Sequence, residues 1–376
     1  MKKLITFVKK ETVLSIAFLM AVISAFIVPV DAQYISYMDF RVLVLLFALM
    51  AVMSGLQALG IFEKLSYSLL KYVKTTRSLT LLLVSLCFFL AMLITNDVAL
   101  ITFVPFTILI LEKVDKPNLL IPVIVLETIA ANLGSMLTPV GNPQNLYLYG
   151  LSGLSITEFL LHMAPATALS YVILLVCIFL QKKDDIRLAH ENETSIPKNP
   201  ALTTYYFVLF VLCLLTVAYI IPYPILLLVS IPVLLIWDRA TLKNVDYSLL
   251  LTFISFFVFI GNMQRIPSVA NMISSLVEGR ELIVAFLASQ IISNVPAAML
   301  LSGFTDNYKE LLLGVNIGGL GTLIASLASL ISFKYFANHA GTLPQECGVT
   351  KGKYMLHFTV MNVLFAVVLL GFVCLF

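Results

Sequence analysis

The sequence NLGSMLTPVGNPQNL, residues 132–146, aligns without a gap on NIGGLGTLIASLASL, residues 316–330. Each copy follows a second matched pair, TNDVA at residues 95–99 and SNVPA at residues 293–297. These polar and glycine-rich runs interrupt apolar sequence at corresponding places in two halves of the chain. Such an arrangement is typical of a transport site built where two structural repeats meet.

The composition around these motifs is that of a membrane protein. The 376-residue chain is 60% hydrophobic and 11% charged, and its mean hydropathy is +1.03. A soluble domain carries roughly a quarter charged residues. The sequence therefore predicts an all-α polytopic membrane protein with no soluble domain, and we expect no nucleic-acid partner.

The apolar segments predict about nine transmembrane helices and two re-entrant helical hairpins. The hairpins are expected at 78–111 and 281–304, since each stretch is too long for one span and is broken by polar residues in its middle. The predicted spans are 12–30, 40–60, 118–150, 162–181, 204–221, 223–237, 247–264, 309–335 and 354–376.

The basic residues orient this topology. If each hairpin enters and leaves by the same face, all but four of the 23 basic residues fall in cytoplasmic segments, the exceptions being Arg41, Arg265, Arg280 and Lys309. This bias follows the positive-inside rule. We expect a bacterial-type cytoplasmic membrane protein whose N-terminus is cytoplasmic and whose C-terminus is outside.

The motif order predicts an inverted-topology repeat with one discontinuous helix in each half. Residues 1–181 form the first repeat, with hairpin 78–111 and broken helix 118–150. Residues 182–203 are a cytoplasmic linker. Residues 204–376 form the second repeat, with hairpin 281–304 and broken helix 309–335.

The first broken helix is predicted to stop near Leu137 and to restart near Pro143. Two prolines remove amide donors between these points, and proline suits the first position of a helix. The restart is expected to direct the free amides of Gln144 and Asn145 at the break, where they can bind an anionic group. The carbonyls that end the first part of the helix, with the Thr138 and Asn142 oxygens, can hold a cation such as Na⁺.

The second repeat predicts a softer break without proline, and the hairpin tips are expected to meet both breaks near the membrane midplane. Small residues can also simply allow close helix packing, but four motifs in two inverted pairs favour a site. The predicted substrate-binding residues are Thr95, Asn96, Asn142, Gln144, Asn145, Ser293, Asn294, Thr322 and Ser326. The predicted ion-coupling residues are Asp97, Glu127, Thr138, Asn142 and Gly318, with Na⁺ placed among Asn96, Asp97, Thr138, Asn294 and Thr322.

Asp97 and Glu127 are the two carboxylates predicted at membrane depth, where ionisable residues are functional candidates. Asp97 has no counterpart in the second repeat, where Val295 stands. It can couple transport to a cation, or it can cap the second hairpin helix through the amides of Ala99 and Leu100. Glu127 can serve coupling or gating, or it can pack against Thr or Asn partners.

The sequences TNDVAL at 95–100, LTPVGNPQN at 137–145 and SNVP at 293–296 resemble those of the ion transporter superfamily. This superfamily includes arsenite permeases, NhaD-type antiporters, citrate–metal transporters and divalent-anion:Na⁺ symporters. The chain is most similar to small bacterial anion permeases of the arsenite-permease-like branch. The resemblance implies a transport domain of hairpins and broken helices, a dimeric scaffold domain and elevator-type alternating access.

These observations predict a secondary active transporter that moves a small carboxylate or oxyanion, coupled to Na⁺ or H⁺. The alternative is a cation/proton antiporter in which Asp97 and Glu127 carry the ions, and it stays open because no Arg or Lys lies near either hairpin tip. We expect no enzyme activity, since HExxH, GxSxG and paired intramembrane aspartates are missing from the sequence. The expected partners are the solute, the coupling cation, membrane lipid and a second copy of the chain, with no cofactor beyond Na⁺ or H⁺.

Overall fold

The computed structural model describes residues 11–186, 199–341 and 349–375. Residues 1–10, most of the predicted linker (187–198), residues 342–348 and residue 376 lie outside the described residues. The described helices, numbered here in chain order, are α1 (Thr12–Ile27), α2 (Gln33–Ser36), α3 (Phe40–Ala58), α4 (Ile61–Leu70), α5 (Thr76–Ile94), α6 (Asn96–Lys113), α7 (Leu120–Ser135), α8 (Pro143–Ser152), α9 (Ile156–Phe179), α10 (Pro200–Val217), α11 (Tyr223–Trp237), α12 (Arg239–Asn244), α13 (Tyr247–Gln264), α14 (Pro267–Val277), α15 (Glu281–Ile292), α16 (Asn294–Ser302), α17 (Tyr308–Ile317), α18 (Leu327–Ala340) and α19 (Lys351–Leu375).

The protein is an all-α polytopic membrane protein. Seven helices of the described chain are long and apolar enough to cross a membrane: Phe40–Ala58, Thr76–Ile94, Pro117–Ser135, Ile156–Phe179, Pro200–Val217, Tyr247–Gln264 and Lys351–Leu375. Three shorter apolar helices, α1, α11 and α15, fall below that length. The count of about nine spans stays a prediction.

Two predicted spans begin earlier than hydrophobicity alone indicated, because polar residues cap them. The span predicted at 162–181 is α9, which starts at Ile156 after a capping box formed by Ser155 and Glu158. The span predicted at 204–221 is α10, which starts at Pro200 because the Asn199 side chain accepts a hydrogen bond from the Leu202 amide. In both cases the cap residue, rather than the first long apolar run, sets the start of the helix.

Helices α5 and α6 pack against each other as a hairpin that turns at Thr95. Both ends of the hairpin contact one short segment of the chain. At the start of α5, the Thr76 amide donates to Asp184 O, 2.9 Å away. After the end of α6, Lys116 Nζ lies 3.1 Å from Asp184 Oδ2. The two ends therefore lie on the same side of the molecule.

Helices α15 and α16 form the second hairpin, which turns at Ser293. Its ends also meet, since Thr305 Oγ1 donates to Glu281 Oε1 at 2.9 Å. The position of either hairpin relative to the bilayer, and thus their re-entrant character, stays a prediction.

Each half contains two helices separated by a non-helical break. Helix α7 ends at Ser135 and α8 begins at Pro143, with Asn142 as its N-cap. Helix α17 ends at Ile317 and α18 begins at Leu327. The expectation of a softer second break was wrong, because residues 318–326 leave the helix as fully as residues 136–142 do. Three glycines in that stretch weaken the helix without proline.

The second part of each broken helix packs against the opposite half. Helix α8 contacts α16 and α17, and α18 contacts α6 and α7. The hairpins and breaks of both halves are thereby gathered into one polar centre inside an apolar shell.

Candidate functional site

The two hairpin tips share one backbone conformation and one contact. Thr95 has φ 72° and Ser293 has φ 75°, a backbone region that residues other than glycine rarely adopt. The turn points the next amide at the break of the same half. Asn96 N donates to Gly141 O at 3.1 Å, and Asn294 N donates to Ala325 O at 2.9 Å. Gly141 and Ala325 occupy aligned positions in the two motifs.

The asparagine side chains at the tips each accept a hydrogen bond from the next amide of the chain. Asn96 Oδ1 accepts from the Asp97 amide, and Asn294 Oδ1 accepts from the Val295 amide, each at 3.0 Å. The amide of Ala99 donates to Thr95 O. The capping alternative for Asp97 is therefore wrong with respect to that amide.

Hydrogen bonds between the halves come in corresponding pairs. Asn142 Nδ2 donates to Asn316 Oδ1 at 3.0 Å, and at the aligned positions Ser326 Oγ donates to Asn132 Oδ1 at 2.9 Å. Asn316 Nδ2 donates to Asn145 Oδ1 at 2.6 Å. At the aligned positions, Asn132 Nδ2 donates to Ser329 Oγ at 3.3 Å. All of these side chains are buried, and Asn96 Nδ2 joins the network by donating to Asn132 Oδ1.

A side-chain amide occupies each break. In the first half, Asn145 Nδ2 lies 3.1 Å from both Met136 O and Thr138 O and 3.4 Å from Ser135 O. We call these three oxygens the first carbonyl cluster. In the second half, Gln290 Nε2 lies 2.9 Å from both Gly318 O and Leu320 O and 3.2 Å from Phe286 O, which form the second carbonyl cluster.

These contacts correct the expected chemistry of the first break. The Asn145 amide was expected to be free, but it donates to Asn142 Oδ1 at 2.8 Å because Asn142 is the N-cap of α8. The carbonyls at the end of α7, predicted to be able to hold a cation, face the Asn145 side chain.

The two predicted threonines make matching contacts. Thr138 Oγ1 donates to Met92 O, and Thr322 Oγ1 donates to Gln290 O at 3.2 Å. Met92 and Gln290 each lie three residues before their hairpin tip. The five residues predicted to hold Na⁺ are thus divided between the halves: Asn96, Asp97 and Thr138 in the first, Asn294 and Thr322 in the second.

A cavity of about 390 Å³ opens beside the first hairpin tip. Asp97, Thr95 and Asn142 line it from the first half, and Asp246 and Asn244 line it from the segment before α13. Residues of α3 and α18, Ser54, Gln57 and Leu327 among them, complete the wall. The residues that line this cavity include two carboxylates and no Lys or Arg.

Of the predicted site residues, only Thr95, Asp97 and Asn142 line this cavity, and Glu127 and Gln144 are among those that do not. Glu127 is fully buried in α7, where Thr107 of the first hairpin donates to its Oε1 and Oε2 has no hydrogen-bond partner. This contact matches the packing alternative, with a threonine partner. Gln144 is buried at the start of α8.

Sequence reasoning missed Gln290 and Asp246 as site residues. Gln290 is a polar side chain within the apolar run of α15, three residues before the tip, and that signal was available. Asp246 lies just before the predicted span 247–264, and its distance from Asp97 along the chain hid their shared cavity.

Comparison with known proteins gives a consistent class. The profile of a family described as Citrate transporter matches residues 3–307. An uncharacterized transporter of Methanocaldococcus jannaschii is 35% identical over 318 residues, which cover 83% of this chain and 84% of the relative. The inner membrane protein YbiR of Escherichia coli is 32% identical over 304 residues, which cover 79% of this chain and 80% of YbiR. A silicon efflux transporter of Oryza sativa is 31% identical over 162 residues, which cover 42% of this chain and 33% of that transporter.

Proposed function

The chain belongs to the citrate transporter family and is a multi-pass membrane transporter rather than an enzyme, and from this premise we propose that it moves a small carboxylate or oxyanion by secondary active transport. The solute is coupled to Na⁺ or H⁺. Alternating access follows an elevator-type movement of the hairpins and broken helices, in a homodimer in the cytoplasmic membrane. The N-terminus is cytoplasmic and the C-terminus is outside.

The observation that carries this proposal is the convergence of two hairpin tips and two helix breaks on one buried polar centre. Asn96 contacts Asn132 of its own half, and Asn132 accepts from Ser326 of the other half. Irregular backbone at membrane depth is tolerated where it is buried in protein or lines a cavity. Transporters of this kind place their solute site at such a repeat interface.

The solute is held by neutral donors rather than by fixed positive charge. Thr95 and Gln57 offer a hydroxyl and an amide group to the cavity, which lacks basic lining residues. An anion there meets the carboxylates of Asp97 and Asp246, so it binds with a cation or a proton that offsets their charge. Binding of the anion is thereby coupled to binding of the cation or proton at the same cavity.

Asp97 is the residue we assign to coupling. It faces the cavity from a hairpin tip, whereas its counterpart in the second half is Val295. Asp246 faces the same cavity from a different part of the chain. Movement of the hairpin relative to α13 therefore changes the separation of two carboxylates, and a bound cation or proton offsets their repulsion.

The acidic lining also favours a second function, cation/proton antiport. In that case the cavity takes a cation between Asp97 and Asp246, and no anion binds. Two carboxylates that share a site do not both ionise readily, which is a property suited to exchanging a cation for a proton.

A ligand panel separates the two functions. Thermal unfolding of the detergent-purified protein would be measured with succinate, citrate, phosphate, sulfate and arsenite, each with Na⁺ or choline and at two pH values. A ligand that binds the folded state raises the melting temperature. We expect a rise with one anion class that is larger in the presence of the coupling ion. A rise with cation or pH alone, and with no anion, would establish the antiporter.

Asp97→Asn tests the coupling residue in the same assay and in uptake by proteoliposomes. The variant keeps the size of the side chain and removes its charge. We expect solute binding to lose its dependence on pH or cation. Glu278→Gln is the matched control, because Glu278 is exposed at the end of α14 and away from the cavity. An unchanged coupling profile in Asp97→Asn would reject the assignment.

A further inference from the structure

Five of the six oxygens in the two carbonyl clusters lie at or after the end of α7 or α17, and the sixth, Phe286 O, belongs to α15. Carbonyl oxygens at the end of a broken helix lack their helical partners. In transporters with discontinuous helices, such oxygens coordinate Na⁺ or H⁺. Here each cluster surrounds the nitrogen of a neutral side-chain amide, Asn145 Nδ2 in the first and Gln290 Nε2 in the second.

The orientation of both amides is determined by their neighbours. Carbonyl oxygens only accept, so the nitrogen of each amide must face its cluster. The oxygen of each amide meets a donor: Asn145 Oδ1 accepts from Asn316 Nδ2, and Gln290 Oε1 accepts from the Thr322 amide at 3.0 Å. A flipped amide would place its oxygen against the carbonyl oxygens at one end and its nitrogen against an N–H donor at the other.

The two halves reach this arrangement from different positions. Met136 O and Leu320 O are aligned, and each accepts from an amide. Yet the residue aligned with Asn145 is Ser329, and the residue aligned with Gln290 is Met92. Gly321 leaves room for the second amide, because a Cβ there would lie 2.3 Å from Gln290 Oε1. Each half therefore fills its own cluster with a neutral donor.

We propose that Asn145 and Gln290 take the place of bound cations at the two helix breaks, so that neither break requires Na⁺ to satisfy its carbonyl oxygens. The amide nitrogens neutralise the exposed carbonyl dipoles permanently and without a net charge. The inference deepens the proposed function by removing Na⁺ from it at these breaks, and the solute-binding part of its test rests on that function.

The test uses thermal unfolding of the full chain at constant ionic strength, with Na⁺ replaced stepwise by choline. Asn145→Ser and Gln290→Met install the residues that the chain itself carries at the aligned positions, and each empties one cluster. In the wild-type protein we expect no Na⁺-specific shift beyond one that Asp97→Asn removes. In each variant we expect the melting temperature to rise with Na⁺, by roughly 2 °C for each tenfold increase above the dissociation constant.

Two matched controls remove an amide without opening a cluster. Asn307→Ser replaces one good N-cap of α17 by another, and Gln264→Met removes an amide that donates to one carbonyl, Gly303 O. Neither variant should respond to Na⁺. A response as large as that of the cluster variants would show that the effect is general and would overturn the proposal.

A second pair of variants protects the test against misfolding. Asn145→Asp and Gln290→Glu keep the shape of the side chain but turn its donor into an acceptor, so each cluster then needs a cation. If Asn145→Ser and Gln290→Met do not fold, a Na⁺-dependent rise in this second pair supports the proposal. Folded variants of either pair that ignore Na⁺ would overturn it.

The wild-type protein supplies the independent outcome. A Na⁺-specific rise in its melting temperature that persists in Asp97→Asn overturns the inference while leaving a coupled transporter in place. If no anion of the panel binds, the proposed substrate class fails, but the Na⁺ titration of the wild type and variants still decides the inference.

Discussion

The break at 136–142 and the break at 318–326 place aligned carbonyl oxygens, Met136 O and Leu320 O, against a side-chain amide. In the first half the amide comes from α8, just beyond the break, whereas in the second half it comes from α15 of the hairpin. Helix geometry determines where unpaired carbonyls must lie. Any nearby position that can deliver a donor then satisfies them, which is why the backbone of the two breaks corresponds and the position that supplies the amide does not.

The largest effect is expected from removing the asparagine that joins the halves. Asn316 contacts Asn142, Asn145 and Leu312 O, and it is buried. Asn316→Ala leaves several buried polar groups without partners, and we expect a loss of stability of about 3 kcal/mol or more. Chemical or thermal unfolding in detergent would measure it.

The counterpart variant, Asn132→Ala, sharpens the comparison. Asn132 contacts Asn96, Ser326 and Ser329. If the two halves contribute equally to stability, Asn132→Ala should lower the free energy of unfolding about as much as Asn316→Ala does. Asn362→Ala is the control, because Asn362 is buried outside the centre and its amide donates to one carbonyl. If Asn362→Ala lost as much stability as Asn132→Ala and Asn316→Ala, the hydrogen-bond network would have no special role.

A smaller effect should come from the aligned glycines Gly134 and Gly318. A Cβ at Gly134 would lie 2.1 Å from Phe88 O, which is backbone and cannot rotate away. A Cβ at Gly318 would lie 2.6 Å from Ser289 Oγ and 2.7 Å from Gly314 O. We expect Gly134→Ala to destabilise by about 1–3 kcal/mol and Gly318→Ala by less, as judged by unfolding temperature.

The control for this pair is Gly352→Ala, since a Cβ at that position in α19 meets nothing within 4 Å. Alanine is the better helix former, so this variant should be neutral or slightly more stable. An equal loss in all three variants would mean that close backbone approach is not what the glycines provide.

The smallest effect concerns a surface ion pair that ties the α1–α2 connection to the end of α13. Arg265 Nη2 lies 2.8 Å from Asp31 Oδ2. This hydrogen bond lowers the pKa of the Asp31 carboxyl below its usual value of 3.8. The pair therefore contributes stability that is present above that pH and is lost as pH falls through the lower pKa of the folded state.

Asp31→Asn should remove this part of the acid sensitivity and change stability little at neutral pH, because both side chains are exposed to solvent. Melting temperatures measured from neutral pH to below pH 4, for wild type and variant, would check it. An equal difference between them at every pH would show that charge is not involved.

The helices and their interruptions followed from local signals. Pro143 and Asn142 mark the restart of α8, since proline suits the first helical turn and asparagine caps it. The same kind of signal was overlooked at Ser155 and Asn199, where caps extend α9 and α10 beyond the apolar runs. Local rules thus predicted most of the elements, and errors arose where polar caps were read as loops.

The site was harder to predict, because its contacts join residues far apart in sequence. Asn142 and Asn316 were visible as repeated motifs, but their direct hydrogen bond depends on how α8 packs against α17. Gln290 and Asp246 gave weak signals on their own. Their roles appear only when the second break and the cavity are assembled around them.

The sequence by itself determined the class of protein and the places where helices must break. Low charge and long apolar runs require a lipid environment, and proline, glycine and paired motifs act through the chain immediately around them. Tertiary structure decided which groups satisfy the broken helices, because an unpaired carbonyl takes whichever donor packing brings within about 3 Å. Helix packing placed the Asn145 amide at the first carbonyl cluster and the Gln290 amide at the second, and it brought Asp97 and Asp246 to one cavity.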